Sequence, residues 1–336
     1  MANLLTYCLS NPWLLALMLV LGFVLLVKGA DWLVDGASAI AKRFGISDLV
    51  IGLTVVAFGT SMPEFVVNMV SVAEGSTDLA ITNILGSNII NTFVILGVTA
   101  LIWPVTSQKR SRQYDIPLSI LAGAMVYMFV RYNVPSEQTP GITRLGGIIL
   151  LVLFIWFLTN TFRHAKEHPE QIDTPNPLTP NPLPPAHAIT LLLVGLVGLV
   201  IGGEMIVKSA VQIATNLGVS EAVIGLTVVA LGTSLPELAT SAMAAFKHNC
   251  DIALGNVIGS NIFNVFFVLA TSAVVRPLPA YDGISLDAWV AALGSILVWI
   301  FIMMNKQRQV KRWGGAALLL VYAAYLTYRL LPYIAA

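Results

Sequence analysis

The chain has 336 residues, 57% of them hydrophobic and only 10% charged, with a net charge of +1. Soluble proteins carry about 25% charged residues, so an ordinary soluble domain is excluded and a lipid bilayer is the expected solvent. Near-zero charge argues against nucleic acid as a partner, and Cys8 and Cys250 stand far apart without metal-ligand spacing.

About 20 apolar residues cross a bilayer as helix. The first 27 residues contain no Lys or Arg, so Trp13 to Val27 reads as the core of an uncleaved first span rather than a signal peptide. Ten windows qualify in chain order: 11–32, 48–73, 78–103, 114–132, 142–162, 187–208, 221–246, 251–275, 284–304 and 313–333. The expected fold class is therefore an all-α integral membrane protein with ten transmembrane helices. Its N-terminal repeat would cover 1–163 and its C-terminal repeat 188–336. Between them, 164–187 is a linker whose prolines from Pro169 to Pro185 favour extended chain. His164, His168 and His187, in or beside it, read as solvated loop residues. No large soluble domain is visible.

Loop charge sets the orientation. One set of loops holds Lys42, Arg43, Lys109, Arg110, Arg112, Arg163, Lys166, Lys247, Lys306, Arg308, Lys311 and Arg312; the other holds only Arg131, Arg144, Lys208, Arg276 and Arg329. The first set is expected in the cytoplasm, with both termini outside.

The chain repeats itself. GISDLVIGLTVVAFGTSMPE ends at Glu64, and GVSEAVIGLTVVALGTSLPE ends at Glu237, with 15 of 20 positions identical at an offset of 173. Five spans separate the copies, so the second enters the membrane upside down. The matching turns agree: AEGSTD is acidic, FKHNCD basic. This is the pattern of inverted-topology repeats in secondary transporters.

Each copy places one acid in an uncharged run. Charge at membrane depth costs roughly 2.5 kcal/mol or more, so Glu64 and Glu237 are functional candidates. Pro63 and Pro236 break the helix just before them, leaving the Gly59 and Gly232 carbonyls without their usual donors. Such breaks are tolerated where freed carbonyls line a cavity. Thr60 and Glu64 share a helix face, as do Thr233 and Glu237. A second repeated element reads NILGSNIIN from Asn83 to Asn91 and NVIGSNIFN from Asn256 to Asn264. Ser87 faces with Asn91, and Ser260 with Asn264. Gly86 and Gly259 are expected to admit a neighbouring backbone. For Asn83, Asn88, Asn256 and Asn261, interhelical hydrogen bonding is the alternative to a place at the site. Asp31 and Glu204, at matching positions near helix ends, read as snorkelling or packing residues, with Lys28 in local reach of Asp31 and Asp35. The gathered ligands are all hard oxygen, which suits Ca²⁺, Mg²⁺, Mn²⁺ and Na⁺ over Zn²⁺ or Cu²⁺, and a dehydrated intramembrane cage favours Ca²⁺ over Mg²⁺. Two glutamates balance one Ca²⁺, two Na⁺ or two protons, and that equivalence lets one site exchange ions.

The paired GTS[ML]PE and GSNI[IF]N motifs, over nearly the whole chain, resemble the signature of the cation/calcium exchanger superfamily, in particular its prokaryotic sodium/calcium exchangers. The resemblance implies ten helices in two inverted halves. It implies that Glu64 and Glu237 are shared by Ca²⁺ and Na⁺, and that the carbonyls of Thr60 and Thr233 complete the Ca²⁺ site. Ser61, Ser234, Ser87 and Ser260 would supply hydroxyls to flanking Na⁺ sites, the carbonyls of Ala57 and Ala230 would cap them, and Asn91 and Asn264 would line the middle. It further implies alternating access, with spans 1 and 6 sliding across a fixed core. Some relatives carry Asp where this chain has Asn264, which leaves the stoichiometry open and argues against potassium dependence.

The expected activity is Ca²⁺/Na⁺ antiport in a prokaryotic plasma (inner) membrane by a monomer, with no organic cofactor. Ca²⁺/H⁺ antiport is the alternative, and a passive cation channel a more distant one. The sequence holds no HExxH, phosphate-binding loop or Ser/His arrangement at plausible depth, so an enzyme is not expected.

Overall fold

The computed structural model describes residues 11–132, 140–167, 183–218, 230–281 and 283–334. Helix α1 runs Pro12–Phe44; the Asn11 side chain accepts the Trp13 and Leu14 amides, and Gly45 ends the helix in the left-handed conformation at φ 62°. Its counterpart α7, Pro185–Asn216, is followed by Gly218 at φ 77°. Both helices outrun the expected spans of 11–32 and 187–208. The apolar windows end there, but helical sequence continues until the left-handed glycine.

The remaining helices are α2 (Asp48–Thr60), α3 (Met62–Ala73), α4 (Thr77–Ile102), α5 (Ser111–Tyr132), α6 (Arg144–Glu167), α8 (Ala230–Thr233), α9 (Leu235–Phe246), α10 (Cys250–Val275), α11 (Ile284–Met304) and α12 (Arg312–Ile334). Among the described residues, eight helices are long and apolar enough to cross a membrane, and the bent pair α2–α3 makes a ninth. The chain is thus a multi-pass membrane protein. The expected span 221–246 is described only from Ala230 on, as α8 and α9.

Two central helices, α4 and α10, bury 78% and 83% of their most apolar windows, against 28% for α1 and 17% for α12. A helix enclosed on all sides can carry polar residues towards its neighbours without exposing them to lipid. The α1–α7 crossing is antiparallel and made by glycine. A Cβ on Gly29 would stand 2.8 Å from the Gly195 carbonyl oxygen, one on Gly195 2.7 Å from that of Gly29, and one on Gly202 2.7 Å from that of Gly22. The two backbones touch over several turns, held by close packing in the absence of any hydrophobic drive.

Two short ribbons interrupt the all-helical expectation. β1 (Val105–Thr106) pairs antiparallel with β4 (Gln309–Val310), and β2 (Gly141–Ile142) with β3 (Leu278–Pro279). Each ties a loop of one repeat to a loop of the other. Gly141, at φ 143°, has the Leu278 carbonyl oxygen 2.3 Å from where a Cβ would sit, so only glycine fits. One of the counted loop cations has partners inside the protein: Arg110 is buried, 3.5 Å from Asp115 and donating to the Thr161 hydroxyl at 2.9 Å. It joins α5 to α6 and is not a solvated charge.

Candidate functional site

The helix α2–α3 breaks at Ser61, whose φ of −87° and ψ of 8° leave the helical region; the two segments meet at 44°. Pro63 sits in the first turn of α3, where a missing N–H costs nothing. The Ser61 amide donates to the Ala57 carbonyl at 3.1 Å and leans towards that of Gly59, so the Gly59 carbonyl is less isolated than the proline alone implies. The second repeat breaks identically at Ser234, φ −89° and ψ 5°, with Pro236 in the first turn of α9. These breaks put Glu64 and Glu237 into the first turns of new helices, facing the central pair α4 and α10.

Both carboxylates are buried, at 1% and 0% exposure. Ser61 of the first repeat donates its hydroxyl to Glu237 Oε1 of the second at 2.7 Å, so the two breaks meet face to face. Ser87 reaches Glu64 Oε1 at 3.5 Å. In each carboxylate the other oxygen, Oε2, has no hydrogen-bond partner among the described residues. The same holds for both side-chain atoms of Asn91, for Thr233 Oγ1, Ser234 Oγ, Ser260 Oγ, Asn261 Oδ1 and Asn264 Oδ1. A buried polar group without a partner costs about 1–3 kcal/mol, so their concentration between the repeats needs a reason.

The amides around this group are partly committed. Asn264 donates to Asn88 Oδ1 at 3.1 Å, Asn88 to the Asn261 carbonyl at 3.2 Å, and Asn261 to Thr92 Oγ1 at 2.7 Å. The chain of bonds zips α4 to α10 and turns Asn264 Oδ1 free. Asn256 accepts the Thr60 hydroxyl at 3.1 Å and donates to Ser241 at 2.9 Å. Its counterpart Asn83 donates to Asn68 at 2.8 Å, and Asn68 sits 173 residues before Ser241. Asn83 and Asn256 therefore act as interhelical ties.

Of the expected site residues, Glu64, Glu237, Ser61, Thr60, Ser87, Asn91, Ser234, Ser260 and Asn264 are buried at the meeting of the two breaks with α4 and α10, and Thr233 closes α8 beside them. The Ala57 carbonyl already accepts both the Ser61 amide and, at 3.4 Å, the Thr60 hydroxyl. Ala230 opens α8 on the edge of the described residues. Gly259 admits α2 as expected: a Cβ there would be 2.7 Å from the Leu53 carbonyl oxygen. Gly86 does not do so among the described residues, where nothing lies within 4 Å. The segment matching Leu53 in the second repeat, around Leu226, falls outside them.

Sequence reasoning missed one device. α4 and α10 each contain a π-helical turn, Ile90–Ile95 and Asn264–Leu269, beside the paired asparagines. Such turns recur at functional sites, and here each lies where an amide leaves the helical register. Thr92 meets Asn261 from the other repeat, whereas Asn68 and Ser241 bond the asparagine of the next helix, Asn83 and Asn256, 15 residues on; none of the three lies in the repeated motifs. Among the described residues no three of His, Cys, Asp and Glu form a metal cluster; the donors are two carboxylates amid hydroxyls and amides.

Comparison with known proteins gives the family of the chain. The family described as sodium/calcium exchanger protein matches residues 14–163 and 187–331. The putative antiporter CaxA of Alkalimonas amylolytica is 37% identical over 308 residues, covering 90% of this chain and 95% of CaxA. The sodium/calcium exchanger MaX1 of Methanosarcina acetivorans is 31% identical, covering 92% and 97%. Solved structures of the sodium-calcium exchanger NCX_Mj superpose with a TM-score of 0.78 at 33% identity, covering 93% of this chain and 97% of that one. Glycine-packed helices, twin broken helices and a shared polar centre are thus the structural form of a sequence that belongs to the sodium/calcium exchanger family of membrane cation antiporters.

Proposed function

We propose that this chain exchanges Ca²⁺ for Na⁺ by alternating access, with Glu64 and Glu237 shared between the ions. The observation that carries the reading is the pair of buried carboxylates, each with one partnerless oxygen, surrounded by partnerless hydroxyl and amide oxygens. Ca²⁺ accepts 6–8 oxygens in irregular geometry, and Na⁺ takes similar ligands. The partnerless Ser260, Ser234 and Thr233 hydroxyls supply further oxygens, with Ser61 and Ser87 bridging to the carboxylates. Thr60 and Thr233 contribute carbonyls in this reading, and Asn91 and Asn264 neutral amides between the glutamates. The Ala57 and Ala230 carbonyls cap the flanking Na⁺ sites. MaX1 and NCX_Mj, which this chain resembles along nearly its whole length, are named as sodium/calcium exchangers.

The exchanger has ten spans in two inverted repeats and lies in a prokaryotic plasma membrane, with its Lys- and Arg-rich loops in the cytoplasm and both termini outside. The internal repeat and its opposite turn charges support this placement. Two carboxylates balance two Na⁺, so with Asn264 in place of an acid, coupling of two Na⁺ per Ca²⁺ is expected. The test uses liposomes loaded with Na⁺ and diluted into ⁴⁵Ca²⁺, with a proton gradient in parallel. Uptake driven by Na⁺ and abolished by Glu64→Gln supports the reading. Uptake driven by protons alone reassigns the coupling ion while keeping the site.

A further inference from the structure

Asp31 and Asp35 lie one turn apart on α1. Lys247, in the turn between α9 and α10, reaches both: its Nζ is 2.6 Å from an oxygen of each and donates to the Asp31 carbonyl at 3.0 Å. Lys28 stands further off, 3.9 Å from Asp31. This pins the α1–α7 pair to the turn at one end of the core.

The repeat offset of 173 carries Lys247 to Glu74, Asp31 to Glu204 and Asp35 to Lys208. Two of the three positions have exchanged sign, Lys247 for Glu74 in the turn and Asp35 for Lys208 on the helix, while Asp31 stays acidic as Glu204. The geometry is not repeated. Lys208 folds back onto its own helix, 2.5 Å from Glu204, and the two side chains are 41% and 61% exposed, against 27% and 30% for Lys247 and Asp31. Glu74 is exposed, with no ion pair among the described residues; the Arg276 guanidinium lies beside its turn, its Nη1 3.0 Å from where a Cβ on Gly75 would sit.

We propose that Lys247 with Asp31 and Asp35, and Glu74 with Lys208, are two latches that close in alternation as the α1–α7 pair moves across the core. The proposal rests on the alternating-access reading above. In an inverted repeat, the two states exchange the local structures of the two halves. The contact closed in one half here is therefore closed in the other half in the opposite state. The first latch is shut in this structure, on the side assigned to the cytoplasm, and the second is open. Each latch stabilises one state only, which is what biases a two-state equilibrium.

Hydrogen–deuterium exchange of the full chain in nanodiscs, without Na⁺ or Ca²⁺, tests this. Lys247→Met is expected to shift the ratio of states about fivefold, the worth of a partly exposed ion pair. Exchange then rises at 247–249 and in the last turns of α1, and falls at 74–76 and in the last turns of α7. Adding Lys208→Met returns the pattern towards wild type. Lys247→Arg leaves it unchanged, and Asp35→Asn repeats the Lys247→Met result should the latter fold poorly. A rise confined to 247–249 with no protection gained at 74–76 overturns the proposal, as does failure of Lys208→Met to reverse the shift. No transported ion enters the measurement. Opposed changes without Na⁺-driven Ca²⁺ uptake keep the latches and reject the exchanger reading; normal uptake without them rejects the latches alone.

Discussion

Glu64 and Glu237 are equivalent by sequence and unequal in their surroundings. Glu237 accepts a short bond from Ser61 across the repeats, whereas Ser234, the counterpart of Ser61, donates to no described residue. A hydrogen bond to a charged group is worth about 1.5–3 kcal/mol. Ser61→Ala is accordingly expected to raise the half-saturating Ca²⁺ concentration about tenfold or more in the liposome assay, and Ser234→Ala to have a smaller effect. Glu64→Gln or Glu237→Gln should each abolish exchange while the detergent-solubilised protein keeps its helical circular dichroism. Asn264→Asp adds a third carboxylate and is expected to change the number of Na⁺ moved per Ca²⁺ without loss of Ca²⁺ transport; membrane-potential dependence of uptake reads the change. The carboxylates and hydroxyls were legible because an acid in an apolar run is too costly to stand at membrane depth without a ligand or partner. The split between bonded and free amides was not legible. It depends on which asparagine meets Thr92 or Asn88 across 169 and 176 residues of chain.

At the scale of the element, two kinds of glycine separate. Gly29, Gly195 and Gly259 stand where a Cβ would fall under 3 Å from backbone atoms, while one on Gly146 would meet only side chains at 3.5 Å and beyond. Overpacking of this kind costs about 1–3 kcal/mol. Gly29→Ala and Gly259→Ala are expected to lower the thermal midpoint of the purified protein, and Gly146→Ala to leave it unchanged or raise it, since alanine favours helix. An unchanged midpoint in both close-packed variants would contradict the contacts. Span positions were readable from hydropathy because each window is apolar and ends in a turn. The lengths of α1 and α7 were not, because their last turns are amphipathic and end only at Gly45 and Gly218. The π-turns left no sequence signal, since they insert one residue's worth of register without any breaker residue.

Across the whole molecule, the two repeats are woven together rather than placed side by side. The β1–β4 and β2–β3 ribbons, the α1–α7 crossing and the bonds from α4 to α10 all join one half to the other. Halves expressed separately are therefore expected to be unstable, and halves co-expressed as 1–167 and 168–336 to purify together; recovery of one stable half alone would oppose this. The weaving also has a consequence for biosynthesis. Ribosomes add about 5–20 residues per second, so Asn88 waits roughly 10–35 s for Asn261 to be made. During that interval α4, with its asparagines and Ser87, and Glu64 on the neighbouring helix are already in or beside the bilayer with no second half to receive them. Such a nascent chain is expected to stay associated with the insertion machinery until α10 emerges. Ribosome-bound chains arrested before residue 250 should crosslink to that machinery through α4, and chains arrested after the last helix should not.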